Sequence, residues 1–188
     1  YLLNGVGAVQ TKRYDDAIAV LEAGKDLVVN DKEMEAEMFG QLGEAYFYQA
    51  KNDLGKENYE KALALDPASS LLRNNYAYRL AIAKIDLDHA LELINAIVGS
   101  GETAHFVDTK GFILFQQGKY ADAMTLFEKA YKSQPSDKIV VEHMGDAYFK
   151  TGKAVGTYED DVIERIIKRA DKLRPLLLGS VAPELSMI

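Results

Sequence analysis

At 188 residues with a hydrophobic share of 48%, the chain carries enough apolar material for one globular domain or a short solenoid. A formal charge of −7, with lysine and arginine interleaved among the acids, excludes the cationic stripe on which nucleic-acid binding depends. The absence of cysteine removes disulfides, thiolate nucleophiles and Cys-ligated metals together, and no apolar run reaches the roughly 18 residues needed to span a bilayer.

The opening stretch, YLLNGVGAVQTKRYDDAIAVLEAGKDLVVN, reads as the end of one helix followed by a full one, a partial first repeat over residues 1–31. The chain begins on Tyr1 rather than Met and shows no signal-peptide pattern, so it is expected to be a soluble piece of a longer protein, with cytoplasm and periplasm both open. DKEMEAE follows as an acidic helix start with a few extra residues, which predicts a longer first loop.

Residues 36–69 form the first complete repeat. Phe39, Leu42 and Tyr46 recur at helical intervals, and after a break at Lys51-Asn52 so do Leu54, Tyr59, Ala62 and Leu63. Asp66-Pro67 closes the unit, because the proline ring disfavours helical geometry in the residue before it. Residues 70–103 repeat the pattern with one residue inserted before Asp86 and a shorter loop at Gly99-Ser100-Gly101. Residues 104–137 are the most regular copy.

The next repeat, 138–175, starts cleanly, with Gly145-Asp-Ala-Tyr-Phe echoing Gly43-Glu-Ala-Tyr-Phe. It then departs: Thr157 stands where alanine is expected, and register returns only with an insertion of about six residues over 153–158. Val162, Ile163, Ile166, Ile167, Ala170 and Leu173 make one amphipathic stripe able to cover the end of a stack. The remainder, 176–188, is an apolar tail expected to cap the array or to bind a partner.

The spacing ties these segments together. Gly43, Ala77, Gly111 and Gly145 each stand 34 residues from the next. A short helix pair cannot bury a two-sided apolar face alone, so each pair must borrow surface from its neighbour. Gly111 and Ala123 fall where the two helices of a pair approach most closely, and Phe127 and Ala130 face the following pair.

With Gly111, Leu114, Ala123, Phe127, Ala130 and Pro135, the 104–137 segment resembles the tetratricopeptide repeat (TPR) family, departing only at Leu114, where an aromatic is usual. The 36–69 segment matches through Gly43, Tyr46, Tyr59, Ala62 and Pro67 and departs at Gly55, where alanine is usual. NNYAYRLA, DLDHALELI and HFVDTKGFILFQQGKYADA look like a bacterial branch of the family. The resemblance implies an all-α fold, a right-handed α-α superhelix of about 4.5 helix-turn-helix repeats, over residues 1–175.

It also implies a concave groove lined by the first helix of each repeat, at Glu37, Gly40, Glu44, Phe47 and Tyr48, then Leu71, Asn74, Tyr78, Ala81 and Ile82. The next two repeats supply His105, Asp108, Phe112, Phe115 and Gln116, then Ile139, Glu142, Asp146, Phe149 and Lys150. Glu44, Asn74, Tyr78, His105, Asp108, Phe112, Phe115, Glu142 and Asp146 are the expected partner-contacting set. Phe47, Phe115 and Phe149 either face a partner or pack between adjacent first helices. The acids Glu44, Asp108, Glu142 and Asp146 either steer a basic segment or are solvated helix-end acids. Acids at these positions do not suit the family members that clamp an acidic carboxy-terminus, whereas the Asn74 amide can bond an extended backbone.

The expected partner is therefore a protein or peptide, basic or aromatic-rich, bound by a non-enzymatic scaffold without cofactor, metal or nucleic acid. His89, His105 and His143 fall in different helices without a ligand pair, and neither a phosphate loop nor a nucleophile arrangement occurs. The alternative is structural: a homo-oligomer formed by the apolar tail and the open repeat ends.

Overall fold

The computed structural model describes residues 1–28, 30–97, 103–151 and 168. The insertion expected at 153–158, the stripe over 162–173, the tail at 176–188 and the loop at 99–101 lie outside the described residues. Among the described residues there are nine α-helices and no strand. The chain divides into two compact units, Tyr1–Ile97 and Val98–Ile188.

The first unit holds α1 (Leu2–Gln10), α2 (Tyr14–Lys25), α3 (Lys32–Tyr48), α4 (Asn52–Leu65), α5 (Ser70–Ala83) and α6 (Leu87–Asn95). The second holds α7 (Ala104–Gln116), α8 (Tyr120–Ser133) and α9 (Lys138–Thr151). Consecutive helices pair as α1 with α2, α3 with α4, α5 with α6 and α7 with α8. Start signals are side-chain caps: Asp31 accepts from the Met34 amide at 2.9 Å, Ser69 from Leu72 at 3.2 Å, and Thr103 from Phe106 at 3.4 Å. The helices before Pro67 and Pro135 end at Leu65 and Ser133. Part of the extra length after α2 goes into a longer helix, since α3 has 17 residues against 14 in α5 and 13 in α7.

Each helix pair turns through one left-handed residue at the same register position: Lys12, Ala50, Lys84 and Gly118, with φ of 60°, 55°, 54° and 77°. Glycine occupies only the last of these, so the sequence carries no turn signal at the other three. The residue inserted before Asp86 is absorbed by a second left-handed position, Asp86 itself, at φ 45°.

Packing within the α3–α4 and α7–α8 pairs lays a ring against glycine, and in the α1–α2 pair Leu21 takes the same place over Gly5. A Cβ on Gly43 would stand 2.6 Å from Tyr59 Cδ2, and one on Gly111 would stand 2.8 Å from Phe127 Cε1, closer than carbon atoms approach. Gly55, the residue out of keeping with the repeat pattern, follows the same rule. A Cβ there would stand 2.6 Å from the Phe47 ring, which is only 9% exposed. Of the two roles open to Phe47, packing is therefore the one it has.

Pairs then stack on one another. In the first unit Ala45 closes on Ala8 and Ala17, Leu42 and Met38 on Leu21, and Tyr59 on Tyr76 at 5.0 Å between ring centres. The buried tyrosine hydroxyls are satisfied by carboxylates, Tyr59 donating to Glu44 at 2.7 Å and Tyr76 to Glu60 at 2.9 Å. In the second unit Phe127 and Ala123 meet Met144 and Ala147 of α9, while Ala130 meets Val140.

Phe127 is fully buried. Truncating it to alanine is expected to destabilise the second unit by about 3–5 kcal/mol, measured as the loss in chemical-denaturation free energy. An unchanged curve would refute the packing register.

Candidate functional site

The described concave recess lies in the first unit, between the first helices of its three pairs. It is contributed by Val6, Val9 and Gln10 of α1, by Glu33, Ala36, Glu37, Gly40, Gln41 and Glu44 of α3, and by Leu71, Leu72 and Asn75 of α5. Tyr59, Asp66 and Ser69 close it. Its volume is about 350 Å³. Successive turns of α3 bring Glu33, Glu37, Gly40 and Glu44 to one side, since residues three and four apart share a helix face. Gly40 sets the depth: a Cβ there would stand 2.6 Å from Leu72 Cδ2, so Leu72 rests directly on the α3 backbone.

The walls are valine and leucine, and Leu71 is 64% exposed. Four carboxylates line the recess and no lysine or arginine is among its lining residues. These carboxylates are not equivalent. Glu44 accepts from Arg79 Nε at 2.8 Å, forms a second bond to the same guanidinium, and accepts from the Tyr59 hydroxyl. Arg79 in turn lies 3.9 Å above the Tyr48 ring, which stacks on Tyr14 at 4.5 Å. Burial pulls the Arg79 value down, but Glu44 outweighs it and the guanidinium is held above its ordinary range. Burial beside Glu44 likewise raises the Tyr59 hydroxyl well above its usual value. Glu44 is thus a neutralised floor. Glu33 and Glu37 are exposed at the rim, and Asp66 turns one oxygen toward the Ala68 amide at 3.2 Å.

Of the residues expected to meet a partner, Glu44 lines this recess, joined by Glu37, Gly40 and Leu71 from the wider groove set. Asn74 does not, and its neighbour Asn75 does. Asn74 instead donates to Asn75 Oδ1 at 3.4 Å, and its own Oδ1 is buried without a hydrogen bond. Tyr78 is half-buried and already engaged.

The remaining six lie in the second unit. His105 is exposed, 3.6 Å from Asp137. Asp108 departs from the expectation of a solvated groove acid. It is 4% exposed and holds His143 Nδ1 at 2.9 Å, with its Oδ1 left without a partner. Phe112 stacks on His143 at 4.3 Å, and Phe115 packs on Tyr120 and Phe127. Glu142 and Asp146 are half-buried and engaged, so the line of free acids is not what these side chains form. Phe149 is 77% exposed. Among the described residues no group of three acids and histidines is placed to hold a metal, and no helix is long and apolar enough to cross a membrane.

The apolar recess residues Val6, Val9 and Leu72 carry no signal that separates them from core. The acid pairings had one: Glu44 and Arg79 are 35 residues apart, as are Asp108 and His143, one repeat plus one position.

Stacked helix pairs of this kind with a recess along their first helices define a helical-repeat protein. Family models described as tetratricopeptide repeat match residues 36–69 and 110–156. Over these segments the chain is built of tetratricopeptide repeats, and the repeat array is a scaffold for protein–protein contacts. Solved structures with the same fold include PilW, described as a widely conserved type IV pilus biogenesis factor, at 17% identity and a TM-score of 0.69 over 93% of this chain and 89% of that one. PilF of Pseudomonas aeruginosa is 19% identical with a TM-score of 0.68, covering 96% of this chain and 90% of its own. MamA AMB-1 is 20% identical with a TM-score of 0.60, covering 92% and 96%. No curated protein matches the chain.

Two outcomes follow from the charge pairs. Arg79→Met leaves Glu44 uncompensated and is expected to cost about 3 kcal/mol in unfolding free energy, with Glu44→Gln/Arg79→Met, which keeps an acceptor for the Tyr59 hydroxyl, costing less than the single change. A double variant weaker than Arg79→Met would contradict the pairing. Burial lowers the His143 value, but the Asp108 carboxylate beside it prevails, with Glu142 and Asp146 adding to it, and the net shift is upward from 6.5. A base raised in the folded state contributes stability that is fully present below its ordinary value and lost as pH rises through the folded one. Amide exchange in α7 and α9 should therefore accelerate with pH above about 6.5, beyond the intrinsic chemical dependence, and should do so less in His143→Gln. Equal acceleration in both would contradict it.

Proposed function

We propose that the first unit receives an extended segment of a partner protein in its concave recess, and that the segment is basic. The observation that carries this is the composition of the recess: aliphatic walls, four lining carboxylates and no lining cation. Apolar area supplies the free energy, at roughly 25 cal/mol per Å² removed from water. The negative potential of Glu33, Glu37 and Asp66 accelerates encounter with a cationic chain and discriminates against an acidic one. Glu44, one of the acids first expected to act, supports the floor; the free charge is carried by Glu37, from the wider groove set, and by Glu33, which the sequence did not single out.

The test is fluorescence anisotropy with a labelled lysine- and arginine-containing peptide. Affinity is expected to fall at least about tenfold in Glu33→Ala/Glu37→Ala at low salt, and the salt dependence should flatten. Unchanged affinity and salt slope would remove the recess as the site.

A second reading, self-association, is favoured by a separate observation in the same unit. Leu3 is 86% exposed beside an open recess lined by Gly7, Ala8, Ala19 and Val20. Light scattering of Leu3→Glu against the parent chain tests it: an oligomer lost in the variant supports this reading, and a monomer in both removes it.

A further inference from the structure

We infer that the recess selects a segment in which an aliphatic side chain stands one to two residues from an arginine or lysine. The aliphatic group sits between Val6, Val9, Leu71 and Leu72, and the cation is held by Glu33 and Glu37. This rests on the reading that the recess takes a partner segment, and it names what that segment must carry.

The reason is that charge and apolar surface are separated along α3. At the deep end Glu44 is already paired with Arg79 and bonded by Tyr59, so its oxygens are occupied and it presents a neutralised polar floor, not a free anion. An incoming ammonium there would have to displace a guanidinium from a bidentate, largely buried contact, which is costly. An apolar side chain at the same place meets valine and leucine walls without stripping a bare carboxylate of water. At the shallow end Glu33 and Glu37 are one turn apart, exposed and unpaired, with Asp66 on the same recess. Two like charges at this spacing repel, so a cation between them relieves a cost already present in the free protein.

Exposed carboxylates alone hold a cation weakly in salt. It is the adjoining aliphatic seat, with Leu71 largely exposed, that makes the recess a place where one segment can satisfy both. The register follows from geometry. Gly40, at the base of the aliphatic seat, is three residues from Glu37, about 4.5 Å of helix rise. An extended chain covers that distance in one to two residues at about 3.3 Å each. A cation further away along the segment would overshoot the rim.

The experiment uses short labelled peptides of otherwise neutral sequence containing Leu-Ala-Arg, Leu-Ala-Glu, Ser-Ala-Arg, or leucine and arginine separated by several glycines. Anisotropy titrations are run against the full chain. The Leu-Ala-Arg peptide is expected to bind at least about tenfold more tightly than each of the others, and Glu33→Lys/Glu37→Lys should reverse the Arg-over-Glu preference. Leu71→Ser, a neutral change at an exposed position that leaves folding intact, should weaken Leu-Ala-Arg and Leu-Ala-Glu alike. Equal binding of Arg and Glu peptides, or of adjacent and separated ones, overturns the inference while loss in Leu71→Ser keeps the recess as the site. Binding untouched by Leu71→Ser, or no binding by any peptide, overturns both.

Discussion

A large side chain pressed onto a small residue of the facing helix is the contact on which the helix pairs of this molecule depend. Where the first helix of a pair has Gly43 or Gly111, the second helix lays Tyr59 or Phe127 across its backbone at a distance that leaves no room for a Cβ. That approach brings the two helices close enough for the pair to present a continuous apolar face, and the face is then buried by the next pair. Gly55 under Phe47 is the same device used in the reverse direction, from the second helix onto a ring of the first. Once these contacts are fixed, the first helices α1, α3 and α5 border one recess.

Stitching between neighbouring first helices is polar as well as apolar. Glu44 reaches Arg79, and Asp108 reaches His143, in each case one repeat and one residue further along the chain. Both acids stand at positions that would face a ligand if they were free. Their pairing converts potential groove charge into cohesion between repeats, because separating either pair would leave a charge in a poorly solvated place. In the first unit this has a functional side. With Glu44 neutralised, the charge available to a partner is concentrated at Glu33 and Glu37, away from the aliphatic seat.

The architecture was legible from the chain because its period, its small residues and its prolines all act locally or at a fixed spacing. Pro67 and Pro135 end helices wherever they occur, and Gly43 and Gly111 are conspicuous as glycines inside amphipathic helices. The groove was less legible, since a residue's position on the first helix determines which way it points but not what it meets. Asp108 looks like a surface acid until His143 is brought over it. Asn74 and Asn75 differ by one helical step of about 100°, which is enough to put Asn75 on the recess and leave Asn74 off it. Phe47 could have been assigned to the core, because its companion Gly55 lacks the side chain the repeat pattern provides. The left-handed turns at Lys12, Ala50 and Lys84 had no such signal: the close packing of each pair holds them there in the absence of glycine.

The central claim is that the concave recess of the first unit, with its aliphatic seat and acidic rim, is where this scaffold meets a protein partner. Amide chemical-shift mapping during titration with an aliphatic-basic peptide addresses it most directly, because it reports location independently of affinity. The account predicts saturable shifts at Val9, Glu37, Gly40 and Leu72. Shifts confined to the α7–α9 unit, or to the second helices α2, α4 and α6, would contradict it.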